Sequence, residues 1–290
     1  MEDINYKLQA ASHSGASLTI LEIMNEYFVK KDIDTSIDKN FLAAIKQKNF
    51  KKIKTPTYEI NAIPITNIIK KENFLSITMP YAEGLGGEKI AYKGSKVVAR
   101  NLKVALNFYL INNFSMSAEG TVLTHEIYNK LDEIKNKTKG KDNIFPMLSE
   151  CISKVKSFCN EDLKIPIGPC HGDLTLSNLK ITEENQLLLF DFLSCEINSP
   201  LQDAAKLLQD FEYGWSFRHE KDSIRIKCEI FCEYAIPYFI KALDKLYYYE
   251  MRVIEALTIL RIAPYIKSED KVTQDWFNET INKIMNKLKG

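Results

Sequence analysis

Apolar and polar positions divide the chain at about residue 82. Before it, short runs rich in β-branched and aromatic residues alternate with turn residues, a strand pattern. Residues 6–11 predict a strand, Ser12-His13-Ser14-Gly15 a turn of small residues, and residues 17–24 a second strand. Asn25-Glu26 predicts a tight turn that returns the chain as Tyr27-Phe28-Val29. Residues 38–48 carry Phe41, Leu42 and Ile45 at helical spacing. Pro56 breaks the chain, residues 58–69 are β-rich, and residues 74–79 predict a strand ending at Pro80.

Past Gly84-Leu85-Gly86-Gly87 the period changes. Residues 97–112 and 144–158 predict long core helices. A loop and hairpin occupy residues 170–192. Ser199-Pro200 then opens a helix, with Ser at the cap and Pro in the first turn. Helical patterns continue to residue 290. The expected fold class is α+β: a small β-rich N-terminal lobe (1–82, hinge at 79–82) and a larger, mostly helical C-terminal lobe (83–290).

The chain has 290 residues, 45% apolar and 27% charged, enough for a sizeable core. A net charge of +1 gives no global argument for nucleic acid or a membrane surface. Lysine-rich stretches at 46–54 and 135–141 read as solvated surface. Cys151, Cys159, Cys170, Cys195, Cys228 and Cys232 include no C-x-x-C pair, and the start Met1-Glu2-Asp3 lacks a signal-peptide pattern. No apolar run is long enough to cross a bilayer. The expectation is a cytoplasmic protein with reduced thiols, a monomer or homodimer, with no nucleic-acid partner and no membrane insertion.

The chemistry concentrates in His171-Gly172-Asp173-Leu174-Thr175-Leu176-Ser177-Asn178, followed by Leu187-Leu188-Leu189-Phe190-Asp191-Phe192. A carboxylate on a loop can orient an attacking hydroxyl and take its proton, which assigns Asp173. Magnesium prefers hard oxygen ligands, and the Asn178 amide with the Asp191 carboxylate leaves room for phosphate oxygens and water. Asp191 ends an apolar strand, a poor place for an ordinary core residue. His171, two residues before Asp173, joins the catalytic loop in a scaffold role rather than as a base. His13, His125 and His219 have no ligand spacing.

The pattern H-G-D-x-x-x-x-N, then an apolar run ending D-F, then Ser199-Pro200-Leu201-Gln202-Asp203, resembles the aminoglycoside phosphotransferase and choline kinase superfamily. That resemblance implies a protein-kinase-like two-lobed fold. It also implies transfer of a γ-phosphate from ATP, with GTP as an alternative, to a hydroxyl of a small molecule. Asp173 then matches the base, Asn178 and Asp191 the Mg²⁺ ligands, and Asp203 the buried Asp that steadies the loop. Lys30 matches the lysine on the α and β phosphates, with Lys31 open as its neighbour because strand alternation points only one into the cleft. Asp38 takes the place of the glutamate that pairs with that lysine. Ser14 lies in the phosphate-covering loop, which lacks a G-x-G-x-x-G pattern. Met79-Pro80-Tyr81-Ala82 matches the hinge, where the Pro80 carbonyl and the Ala82 N–H would meet a purine.

Candidate acceptor residues are Asp210, Tyr213, Trp215, Arg218, Arg261 and Tyr265. An aromatic cluster with Asp suits a quaternary amine, whereas Arg218 and Arg261 suit an anionic acceptor. Residues 199–215 are similar to phosphotransferases associated with bacterial surface-polysaccharide synthesis, so a sugar or polysaccharide precursor is the expected acceptor. The alternatives are an aminoglycoside or choline/amino-alcohol kinase, and a catalytically silent nucleotide-binding pseudokinase. No A-P-E element follows Asp191, which argues against a protein kinase.

Overall fold

The computed structural model describes residues 16–195 and 197–289. The expected strand at 6–11 and the turn with His13 and Ser14 lie outside them. In chain order the strands are β1 (Ser17–Ile23), β2 (Glu26–Ile33), β3 (Ile53–Lys54), β4 (Glu59–Ala62), β5 (Asn67–Lys71), β6 (Phe74–Pro80), β7 (Leu85–Gly86), β8 (Ala118–Val122), β9 (Leu163–Ile167), β10 (Leu179–Ile181) and β11 (Gln186–Leu189).

An antiparallel sheet in the order β1-β2-β6-β5 opens the described chain. The β1–β2 hairpin turns on Met24 and Asn25, with φ of 53° and 64°, the paired left-handed conformation that matches strand twist. The turn therefore falls one residue earlier than Asn25-Glu26, and β2 runs on to Ile33. Under this sheet lies the Ile37–Lys48 helix, whose Ala44 packs with Ile33, Ile65, Leu75 and Ile77.

The second sheet, β3-β4-β11-β10-β7, joins the two halves of the chain. β4 pairs in parallel with β11, setting Ile60 against Leu187. The first 82 residues are thus not a self-contained sheet. β3 and β4 belong to the sheet that carries the 170–192 hairpin, whose tip bends at Asn185 with φ 58°.

The rest is mostly helical. The Lys96–Ser115 helix runs through the main core, where Leu102, Leu106 and Leu110 are fully buried. Against it pack the Pro200–Phe211, Asp222–Ala235 and Tyr238–Leu246 helices, and the Phe145–Phe158, Tyr248–Leu260 and Lys271–Lys287 helices complete the same core. The sequence pattern did not separate the short β8–β9 ribbon or the Thr124–Thr138 helix, which is mostly polar and buries only Ile127, Leu131, Ile134 and Thr138. No described helix is long and apolar enough to cross a membrane.

The parallel β4–β11 joint predicts that Ile60→Ala, at a position with no solvent exposure, costs about 3 kcal/mol of unfolding free energy. Urea titration checks it. A loss below about 1 kcal/mol contradicts a joint packed to core density.

Candidate active site

One face of the Pro200–Phe211 helix holds the 171–178 loop at three successive points. Ser199 caps this helix, its Oγ accepting from the Leu201 N–H at 3.2 Å. Asp203, Lys206 and Asp210 follow one another at three- and four-residue spacing, so they share a face. Asp203 is fully buried. Its carboxylate accepts the N–H of His171 at 2.6 Å, the N–H of Gly172 at 2.7 Å and the Tyr109 hydroxyl at 2.8 Å. Burial pushes the Asp203 carboxyl above its usual range against the pull of those donors. One turn on, Lys206 Nζ sits 2.9 Å from Asp173 Oδ1 and 2.9 Å from Gln209 Oε1. One more turn on, Asp210 accepts the N–H of Leu176 at 2.5 Å and that of Ser216 at 2.8 Å.

Gly172 supplies the bend with φ +88°, and a Cβ there would stand 2.5 Å from the Leu193 carbonyl oxygen. The side chain of Asp173 is a third exposed, and Asn178 Nδ2 donates to its Oδ2 at 3.0 Å and to its carbonyl at 2.8 Å. Burial, the largest single influence, raises the Asp173 carboxyl, but the Lys206 ammonium together with the smaller pull of the other charges around it leaves the group below its usual range, hence ionised at neutral pH.

His171 has no solvent exposure. Its Nδ1 accepts the Asp173 N–H at 3.2 Å, which places the proton on Nε2, 2.9 Å from the Phe190 carbonyl. The ring lies 4.2 Å from that of Phe192. Burial depresses its basicity. His171 therefore fixes the loop as a buried neutral ring with both nitrogens engaged, a scaffold position rather than one beside Asp173 in the cleft.

Asp191 follows β11 with φ 61°, a conformation costly for a residue with a Cβ. Its N–H donates to Gln47 Oε1 at 3.1 Å, while Gln47 Nε2 donates to the Ile63 carbonyl at 2.8 Å. The Asp191 side chain is half exposed, and Lys31 Nζ meets its Oδ1 at 2.5 Å. Lys30 faces the other way, onto Asp32 at 2.8 Å. The cleft-facing lysine of β2 is thus Lys31, because alternation along a strand that continues to Ile33 sends Lys30 to the opposite face. Asp38 lies at the exposed start of its helix and pairs with Lys70 at 2.7 Å, so it meets neither lysine. Beside Lys31 and Asp191 a hollow is lined by Gln47, Ile65, Ile77 and Met79.

At the 79–82 connector Pro80 pairs with Phe28 and the Tyr81 N–H donates to the Tyr27 carbonyl at 2.8 Å. Lys180 Nζ donates to the Ala82 carbonyl at 2.5 Å. The Ala82 N–H bonds to no described residue.

Of the acceptor candidates, Arg261 acts on Asp173 through its charge. Asp210 is fully buried and engaged with the loop. The Tyr213 hydroxyl donates to buried Glu255 at 2.6 Å. Trp215 packs against Trp276 with the ring planes tilted by 56° and carries the Arg218 guanidinium 3.6 Å above its ring. Tyr265 lines a separate hollow with Lys141 and Lys267. These residues build the helical core or its far surface. Gln47, Lys46 and Lys206 were not singled out from the sequence. Lys46 Nζ donates to the Leu193 carbonyl at 3.1 Å and ties its helix to the segment after Asp191. Lys206 did carry a signal: it is the lone charge in Ala204-Ala205-Lys206-Leu207-Leu208, the same anomaly that marked Asp191.

No protein-family model matches the chain, and no curated protein matches it. Solved structures do match. A thermostable mutant of aminoglycoside phosphotransferase APH(4)-Ia, in ternary complex with ADP and hygromycin B, superposes with a TM-score of 0.58 at 11% identity, covering 97% of each chain. A complex of such a mutant with AMP-PNP and hygromycin B gives 0.58 at 12% identity, again over 97% of each chain. APH(4)-Ia itself gives 0.51 at 9% identity over 99% of each chain. The chain thus has the kinase-like α+β fold of those phosphotransferases.

The Asp210 carboxyl is pushed up to about 6 by burial, against the pull of the Leu176 and Ser216 N–H groups. The native state therefore holds this proton more tightly than the unfolded chain does. Its stabilisation is complete below the unfolded value near 3.8 and is lost as pH rises through about 6. In urea unfolding between pH 4 and 7, the gap between wild type and Asp210→Asn should change by about 2–3 kcal/mol, wild type losing ground as pH rises. A gap independent of pH contradicts the assignment.

Proposed function

We propose that the protein is a magnesium-dependent phosphotransferase that moves the γ-phosphate of ATP to a hydroxyl of a small molecule. The observation that carries this reading is the placement of three oxygen-bearing side chains: Asp173, Asn178 bonded to it, and Asp191, paired with Lys31 and one residue past the Phe190 N–H that donates to the Asn178 carbonyl at 3.3 Å.

Each group has a role that follows from its surroundings. Asp173 is ionised and partly exposed, so it can orient an acceptor hydroxyl and receive its proton. The hydroxyl oxygen attacks the γ-phosphorus, the bond from that phosphorus to the β–γ bridging oxygen breaks, and ADP leaves with the electron pair. The amide of Asn178 turns its nitrogen to Asp173, so its free Oδ1 is a hard oxygen ligand; with an Asp191 carboxylate oxygen it makes a donor set that suits Mg²⁺. Mg²⁺ there would neutralise phosphate charge. Lys31 would hold the α and β phosphates, released from Asp191 when the nucleotide and its metal arrive. The apolar Ile65, Ile77 and Met79 and the open Ala82 N–H fit a purine at the hinge. ATP is the proposed donor, with GTP as the alternative.

The proposed acceptor is a sugar or a surface-polysaccharide precursor. A polycationic aminoglycoside needs carboxylates around its amines, and the buried acids nearest the loop, Asp203, Asp210 and Glu255, are fully engaged. A second reading, nucleotide binding without turnover, has one observation behind it: the Ile37–Lys48 helix brings no carboxylate to Lys31, whose partner is Asp191 itself.

A screen of sugars, sugar acids, amino alcohols and aminoglycosides for acceptor-dependent consumption of ATP and GTP separates these readings. At least one acceptor should be phosphorylated, and Asp173→Ala should slow that turnover about 10²–10⁴-fold while MgADP still binds. Nucleotide binding with no turnover supports the silent reading. Resistance to kanamycin-like compounds in cells expressing the protein overturns the sugar preference.

A further inference from the structure

The corner of the cleft next to Asp173 is built from cations. Lys206 is one of them, its side chain only 9% exposed and its Nζ 2.9 Å from Asp173 Oδ1. Arg261 is the other. It ends the Tyr248–Leu260 helix, which is held beside the Pro200–Phe211 helix by the Gln202 Nε2 bond to Thr258 Oγ1 at 3.2 Å. From there its charge acts on both Asp173 and Cys195, on the 171–178 loop and on the segment after Asp191. Arg261 is half-buried, yet its guanidinium forms no hydrogen bond or ion pair with any described residue. Every other arginine of the helical core that is comparably enclosed has partners: Arg218 has Thr273 and the Trp215 carbonyl and ring, and Arg252 has Asp244 and Glu255.

The carboxylates that could have balanced this corner are turned away. Asp203 and Asp210 face the loop backbone. Glu255 accepts from Tyr213, Lys287 and Arg252 inside the core. A buried lysine committed to the base and an unpartnered arginine one helix away leave a net positive corner beside Asp173. A guanidinium in such a place is suited to a planar anion held by two parallel N–H bonds.

We infer that the acceptor carries an anionic group, a carboxylate or a phosphate, which Arg261 binds while Lys206 holds Asp173 toward the hydroxyl. This deepens the phosphotransferase reading and rests on it. Arg261 is then the residue that selects the acceptor, and Lys206 is a positioning residue for the base. The same charges repel an amino sugar or a quaternary amine. Phosphoryl transfer itself is unchanged: the acceptor hydroxyl still loses its proton to Asp173.

Two matched series test this: D-glucose, D-glucuronate, glucose 1-phosphate and D-glucosamine, and the galactose counterparts. Binding is measured by calorimetry on the full chain, with and without MgADP. The tightest anionic member should bind about tenfold or more tightly than its neutral parent, as one charge-assisted pair supplies, and the amino sugar should bind weakest. Arg261→Gln should erase the anionic advantage, and Arg261→Lys should keep part of it. The glucuronate and 1-phosphate arms tell a carboxylate acceptor from a phosphorylated one. Equal binding of the neutral sugar, preference for the amino sugar, no binding of any anionic member, or an advantage that survives Arg261→Gln each overturns the inference. Loss of MgADP binding in wild type instead counts against the phosphotransferase reading, because the sugar titrations without nucleotide stand apart from it.

Discussion

The site depends on one stripe of a single helix. Asp203, Lys206 and Asp210 grip the 171–178 loop at residues 171–172, 173 and 176. The loop has almost no regular structure of its own, only one 3₁₀ turn at Leu176–Asn178. Its buried backbone N–H groups need acceptors, and a carboxylate on an adjoining helix supplies two at once. That constraint explains why this helix is buried along its entire length although it carries Gln202, Asp203, Lys206, Gln209 and Asp210. Each polar group is matched, so burial carries no unmatched charge. Pre-set loops of this kind give a reacting group its position before any ligand arrives.

The second constraint lies across the cleft. Lys31 and Asp191 come from strands in different sheets, and Gln47 holds the backbone of Asp191 in a left-handed conformation. The β4–β11 joint fixes the second sheet's side of this contact, just before Asp191. An ion pair at 2.5 Å between groups proposed for phosphate and metal leaves neither of these two charges unpaired without nucleotide. On the proposed reading, MgATP replaces it with two pairs: phosphate on Lys31 and metal on Asp191.

Much of this was legible in the sequence where local rules apply. Helix and strand types followed from periodicity, the Ser199-Pro200 start from capping chemistry, and the three oxygen-bearing residues from their spacing. What stayed hidden needed a strand's true length or a partner far along the chain. Lys30 and Lys31 are distinguished only by alternation in a strand whose end was misplaced. The acceptor candidates at 210–218 failed for a different reason: these aromatic and charged residues form satisfied internal networks, and composition cannot tell a lining residue from a matched core residue. Gln47 gave no local signal, because its role lies in two contacts with residues 63 and 191.

The central claim is that Asp191 and Asn178 present oxygen ligands to a metal-bound nucleotide, opposite Lys31. Its most direct measurement is calorimetric titration of ADP with and without Mg²⁺, on wild type and on Asp191→Asn. Magnesium should tighten ADP binding by wild type about tenfold or more, and the variant should lose that gain while still binding free ADP. Equal magnesium dependence in both proteins, or ADP binding that ignores magnesium altogether, contradicts the account.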